Sequence, residues 1–164
     1  MPLLLSIIYV GALGILAHYI GEALPRRLFN FRKLPFKQLG FEKSGRLYLV
    51  LRVHKWKDKV PDMSKIMKDM IPKSVSFKPT SKELYRLADE TCVAEAVHNA
   101  LNILFVGIYF FWKNKIGVFL VVLSISLNTP YIIIQRYNRP KIVALADKLK
   151  QREEKRNAYI NSVV

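Results

Sequence analysis

No lysine or arginine occurs in the first 24 residues of this chain, although it holds 27 in 164 residues, against only 12 aspartates and glutamates. The one cysteine, Cys92, excludes an intramolecular disulfide and a metal site built from several thiolates. It reads as a small buried side chain. None of the three histidines stands in a His-Glu-x-x-His pair, which excludes a zincin-type metalloprotease. Neither a Gly-rich phosphate loop nor a Gly-x-Ser-x-Gly elbow is present, so P-loop nucleotide hydrolysis and the α/β-hydrolase triad are also excluded. A His-x-x-x-x-Asp motif of the glycerolipid acyltransferase type is missing too, and there is no internal repeat or low-complexity tract.

What is present is an unusual pairing of 51% hydrophobic residues with a formal net charge of +15. The length predicts a single domain. The composition fits either a nucleic-acid binder or an integral membrane protein with a cationic face, and charge placement separates the two. Seventeen basic residues lie between Arg26 and Arg86, only Lys113 and Lys115 separate two later apolar runs, and eight follow Ile134. A nucleic-acid groove needs no apolar runs beside it, so nucleic acid is not an expected partner.

Residues 3–24 form the first apolar run, and about 20 residues suffice for a helix to cross the hydrocarbon core. Its basic flank, Arg26 and Arg27, follows rather than precedes it. That order marks an uncleaved anchor with an outer N-terminus, not a signal peptide. The second membrane segment, residues 93–112, lies in a helix predicted to open at Thr80 or Ser81, with Glu83 in its first turn. The third is residues 116–134, and the Lys113-Asn114-Lys115 link permits only a tight antiparallel hairpin.

The positive-inside rule then predicts a multi-pass membrane protein with segment 25–92 and the C-terminal tail in the cytoplasm. Residues 140–160 carry Ile142, Val143, Leu145, Ala146 and Leu149 at helical spacing and are expected to lie along the bilayer surface. Segment 34–79, with Pro35, Pro61, Pro72 and Pro79, predicts short interfacial helices and loops, and "GRLYLVLRV" reads as a strand or an amphipathic helix. The expected fold class is thus all-α integral membrane: three transmembrane helices plus interfacial helices on the cytoplasmic side.

Under that topology the unusual polar residues fall at one depth. Glu95 and His98, three residues apart, share a helix face. Gln135, Arg136, Tyr137, Asn138 and Arg139 follow the third run, and Trp56, Lys57 and Asp58 lie in the intervening segment. Ionisable groups at membrane depth are costly and face a polar cavity or a partner. A carboxylate that orients an imidazole is a general-base arrangement, whereas Glu-x-x-His on a helix also presents two metal ligands. Only Asp58 or Glu90 offers a further ligand, and Glu90 is turned about 140° from Glu95 at 100° per residue, so no metal site is assigned. Arg136 and Arg139 also have a plain reading as charges that stop transfer and meet phospholipid phosphates. Pro130 is expected to free a backbone carbonyl that Asn128 or a water satisfies, kinking the helix.

Three stretches, "HKWKDKVPD", "ETCVAEAVHN" and "NTPYIIIQRYNRPKI", resemble the signature blocks of the glycosyl-4,4'-diaponeurosporenoate acyltransferase family, small bacterial membrane proteins of staphyloxanthin-type carotenoid synthesis. Departures are mild: His54 stands where a basic residue is expected, and Val60 where leucine is. The resemblance implies a bacterial plasma-membrane enzyme that moves a fatty acyl group onto a sugar hydroxyl of a membrane glycolipid, of which a carotenoid glycoside is one. It implies an acyl-CoA or other acyl thioester as donor, no cofactor, and membrane lipids as surroundings. On that reading His98, Glu95 and Asp58 are the catalytic candidates. Trp56, Lys57, Glu90, Asn128, Gln135, Arg136, Tyr137, Asn138 and Arg139 are the substrate-binding candidates. Two rivals stand beside it: a non-catalytic component that binds anionic lipid through its basic face, and a metal-dependent membrane hydrolase.

Overall fold

The computed structural model describes residues 2–61 and 79–163, and every regular element among them is helical. Helix α1, Pro2–Ala23, is the first apolar run and is exposed along most of its length. A connecting segment carries two short helices, α2 (Arg46–Val50) and α3 (Val53–Trp56). "GRLYLVLRV" is therefore helical, not a strand. Gly45 (φ 75°) and Arg52 (φ 51°) adopt left-handed conformations before the two helices, so the chain turns where one amphipathic helix would have run on. Residues 62–78 of the segment expected to form short interfacial helices and loops, Pro72 among them, lie outside the described residues.

Helix α4, Ser81–Leu104, starts where the cap signal predicts. The Thr80 hydroxyl accepts from Glu83 N, and the Glu83 carboxylate accepts from Thr80 N, a reciprocal capping box. A tight 3₁₀ stretch, Phe105–Ile108, leads into α5, Tyr109–Trp112. Lys113 reverses the chain with φ 42°, and α6 runs from Lys115 to Val163. Three of these segments, Pro2–Ala23, Ser81–Trp112 and Lys115–Ser162, are long and apolar enough to cross a membrane.

Helix α1 runs antiparallel to α4. Near one end Trp112 Nε1 donates to Ser6 Oγ at 3.0 Å, and the Tyr9 hydroxyl donates to the Leu104 carbonyl at 2.8 Å. Gly107 lets Tyr9 approach, since a Cβ there would overlap its hydroxyl, the close helix contact that small residues permit. Leu13, Leu101, Phe105 and Ile108 form the buried core at this level. At the other end Arg26 ties the helices together: its Nη1 donates to the carbonyls of Gly21 and Leu24 at 2.7 Å and Glu22 at 3.0 Å, and its Nε donates to Glu90 Oε1 at 3.0 Å.

Two expectations change at α6. The helix continues through Pro130 and Pro140 as one element of 49 residues, about 73 Å at 1.5 Å per residue. Residues 140–160 are therefore continuous with the third apolar run rather than a separate helix. They pair with the polar front of α4: Ser81 Oγ donates to Glu153 Oε2 at 2.6 Å, Tyr85 donates to Asp147 Oδ1 at 2.5 Å, and Leu84, Ala88 and Ala146 are buried. Of the apolar stripe, Ala146 is buried against this partner, while Leu145 stays exposed. Nor does Asn128 serve Pro130: its side chain reaches across to α4, while the Thr129 hydroxyl bonds to the Ile125 carbonyl at 2.7 Å.

Candidate active site

Away from the Lys113 hairpin, Glu95, His98, Asn128, Arg136 and Arg139 fall into two adjoining polar groups. The first is a buried quartet of two arginines and two glutamates. Arg136 grips Glu42 with two parallel bonds, Nε to Oε1 and Nη2 to Oε2, both 2.7 Å, and its Nη1 reaches Glu95 Oε1 at 2.5 Å. Arg139 takes the other oxygen of Glu95 through Nη2 at 2.6 Å, and its Nε and Nη1 donate at 2.7 Å to Thr91 Oγ1 and the Phe36 carbonyl. Glu42 also accepts from Leu39 N at 2.7 Å and from the Tyr48 hydroxyl. Glu95 and Arg139 are each about 5% exposed, so the charges must cancel within the protein, and the bidentate fork of Arg136 suits that.

Burial works against ionisation of Glu42. Hydrogen bonds from Arg136, Tyr48 and Leu39 N outweigh it and lower the carboxyl from 4.5 to about 2. Burial and the Glu42 carboxylate hold the Tyr48 phenol above its ordinary value, so it stays protonated and donating. Between pH 4.5 and 2 the unfolded chain therefore binds a proton at Glu42 that the folded chain does not. The carboxylate's stabilisation is fully present above pH 4.5 and is lost as pH falls towards 2. Thermal midpoints in detergent should decline across that window, and Glu42→Gln should flatten the decline; an unchanged slope in the variant would count against the assignment.

The second group lies further along both helices. His98 Nδ1 meets Asn128 Oδ1 at 2.7 Å, and its ring stacks on Tyr131 at 4.9 Å with a 10° interplanar angle. Asn128 Nδ2 donates to the His98 carbonyl at 2.8 Å and to Asn102 Oδ1 at 2.7 Å. A backbone carbonyl can only accept, so it fixes which way the Asn128 amide faces. Oδ1 is then the acceptor towards His98, and Nδ1 must carry the ring proton. In the neutral ring the lone pair is therefore on Nε2, the arrangement a general base requires.

The remaining candidates are distributed around these groups. Tyr137 is buried against Tyr48 and Val53, with Trp56 and Ile133 packed on them, and Trp56 Nε1 donates to the Leu51 carbonyl at 3.0 Å. Lys57 and Asp58 pair with each other at 2.7 Å, with the Asp58 side chain 79% exposed. Glu90 belongs to the Arg26 clasp. Gln135 is buried and Asn138 half-buried, on either side of Arg136 and Tyr137. The quartet thus joins Glu95, Arg136 and Arg139, but the partner of His98 Nδ1 is Asn128, with each Glu95 oxygen facing an arginine. Among the described residues no group of three His, Cys, Asp or Glu side chains is placed to hold a metal ion.

Sequence reasoning missed Glu42, Tyr48, Thr91, Asn102 and Tyr131. Glu42 did leave a signal, being the only acid between Glu22 and Asp58 in a strongly basic stretch. Asn102, four residues after His98, shares its helix face.

Comparison with known proteins adds a family. The profile of the glycosyl-4,4'-diaponeurosporenoate acyltransferases matches residues 25–148, a range that holds both polar groups. Two Staphylococcus aureus proteins named glycosyl-4,4'-diaponeurosporenoate acyltransferase are each 30% identical to this chain over 137 residues, covering 83% of this chain and 82% of the relative. No solved structure matches.

Proposed function

The chain belongs to the glycosyl-4,4'-diaponeurosporenoate acyltransferase family, and from that premise we propose an integral-membrane O-acyltransferase that esterifies a sugar hydroxyl of a membrane glycolipid. A carotenoid glycoside, as in the relatives' name, is one acceptor of that class. The reading rests above all on the Asn102–Asn128–His98 chain, which leaves Nε2 as the basic nitrogen of the neutral ring. His98 Nε2 takes the proton of the acceptor hydroxyl while its oxygen attacks the carbonyl carbon of an acyl thioester. The tetrahedral oxyanion collapses with cleavage of the C–S bond, and the imidazolium returns its proton to the departing thiolate. No cofactor takes part.

Orientation of the ring passes from Glu95, its expected partner, to Asn128. Glu95, Arg136 and Arg139 act as the scaffold that fixes α4 against α6 one turn away. Asp58 and Lys57, at the exposed margin, hold acceptor hydroxyls, and Trp56 beside Tyr137 offers a face for a sugar ring. The end of the bundle that carries the polar groups faces the cytoplasm of a bacterial plasma membrane, and the N-terminus of α1 lies outside. The charge supports this: among the described residues, Lys113 and Lys115 are the only lysines or arginines at the hairpin end.

Expression in cells that supply a membrane glycolipid tests the reaction, with mass spectrometry of extracted lipids as the readout. A glycolipid heavier by one acyl chain is expected, and its absence when protein is present in the membrane overturns the proposal. Loss of lipid binding in proportion to any basic residue removed between Arg26 and Arg86 would favour the non-catalytic reading instead.

A further inference from the structure

A cavity of about 510 Å³ opens beside the quartet, between the Phe31–Gln38 segment and the Pro140–Asp147 turns of α6. Its size falls within the range of small-molecule sites. Four cations, Arg32, Lys37, Arg136 and Arg139, line it against two carboxylates, Glu42 and Asp147. Arg136 and Arg139 are consumed by the glutamates. Among the described residues no carboxylate pairs with Arg32 or Lys37. Arg32 makes no close ion pair, although the Asp89 carboxylate lies within its electrostatic reach; its Cζ is 5.2 Å from the Phe31 ring and 5.4 Å from the Tyr85 ring, which stack at 5.9 Å and 5°. Phe36 adds a second aromatic wall.

Two cations outside any direct salt bridge, beside aromatic faces, suit a phosphorylated ligand that carries a flat ring. We infer that this cavity receives the nucleotide diphosphate head of a coenzyme A thioester, with Arg32 and Lys37 on its phosphates and Phe31 and Phe36 beside its base. The inference rests on the acyl-thioester reading above. Arg136 at the cavity lies eight residues from Asn128 along α6, about 12 Å at 1.5 Å per residue. The flexible arm between phosphate and sulfur crosses that interval, so a head in the cavity delivers its thioester to His98. The quartet separates the two ends: its arginines hold the protein together and leave phosphate binding to Arg32 and Lys37.

Titration of the purified full chain in uncharged detergent with coenzyme A tests this, with pantetheine as the phosphate-free control and nanodiscs containing phosphatidylglycerol as the lipid arm. Coenzyme A should bind and pantetheine should not. The double substitution Arg32→Gln/Lys37→Gln should weaken binding about tenfold or more, since each charged hydrogen bond lost costs that order. The same variant should raise KM for acyl-CoA while kcat and the melting temperature stay near wild type. The control Lys148→Ala/Lys150→Ala, which removes two exposed charges, should leave affinity unchanged. Equal affinity in the Arg32/Lys37 variant overturns the assignment, and so does an equal loss in the control. Failure of wild type to bind coenzyme A overturns it also, and if phosphatidylglycerol binding then depends on Arg32 and Lys37 the occupant is a lipid head. Coenzyme A binding that depends on these residues, without any acyl transfer, upholds the cavity and sinks the reaction; transfer with an unchanged KM in the variant does the reverse.

Discussion

Replacing His98 with alanine is expected to lower acyl transfer by about 10²- to 10⁴-fold, the range one general base supplies, while the protein accumulates in membranes and melts as wild type does. The ring is half-buried, with Nδ1 on Asn128 and its face stacked on Tyr131, while the quartet's ion pairs run among its own side chains. Asn128→Leu should lower kcat by a smaller factor with little change in KM, because the imidazole remains but its Nδ1 proton loses its acceptor. The two effects should not add: once His98 is gone, Asn128→Leu has nothing left to orient. Kinetics on the four proteins of that cycle decide the matter. Wild-type turnover in His98→Ala removes the proposed base, and simple additivity removes Asn128 as its positioning residue.

The Glu95→Gln substitution should behave differently. Glu95 neutralises two arginines, the buried Arg139 and the half-buried Arg136, one per oxygen. A glutamine there keeps one acceptor and turns a donor towards the other guanidinium, leaving buried positive charge uncompensated. Breaking such a pair costs about 3–5 kcal/mol, so the expected result is a large fall in thermal midpoint and poor recovery from detergent. Glu90→Gln is the comparison. Its partner Arg26 is partly exposed and keeps three carbonyl acceptors, and an exposed pair is worth about 1 kcal/mol or less. Loss of activity in Glu95→Gln with an unaltered melt would mean that Glu95 acts on the reaction instead of the fold.

The contrast between these variants shows where sequence reasoning reaches and where it stops. Hydropathy placed α1 to within a residue, because a largely apolar run of about 20 residues has one interpretation in a bilayer. The Thr80/Glu83 box and the Lys113 hairpin were equally readable, since each is closed by residues a few positions apart. Shared helix face also brought out Glu95 and His98, but not whom each would meet. A buried carboxylate takes the nearest cations, and those arrive from 41 and 44 residues away. The same limit hid Glu42, 94 residues from Arg136, and the union of residues 140–160 with α4, where a stripe suited to lipid serves equally well against a helix.

The quartet has an electrical consequence. Moving one elementary charge through a membrane potential costs about 2.3 kcal/mol per 100 mV, which would load any single arginine placed in that field. Arg136 and Arg139 are matched by Glu42 and Glu95, so the unit carries no net charge and the cost of moving a net charge through such a field does not arise for it. Ion pairing that began as a packing necessity thereby leaves this end of the bundle with two arginines and no net charge from them.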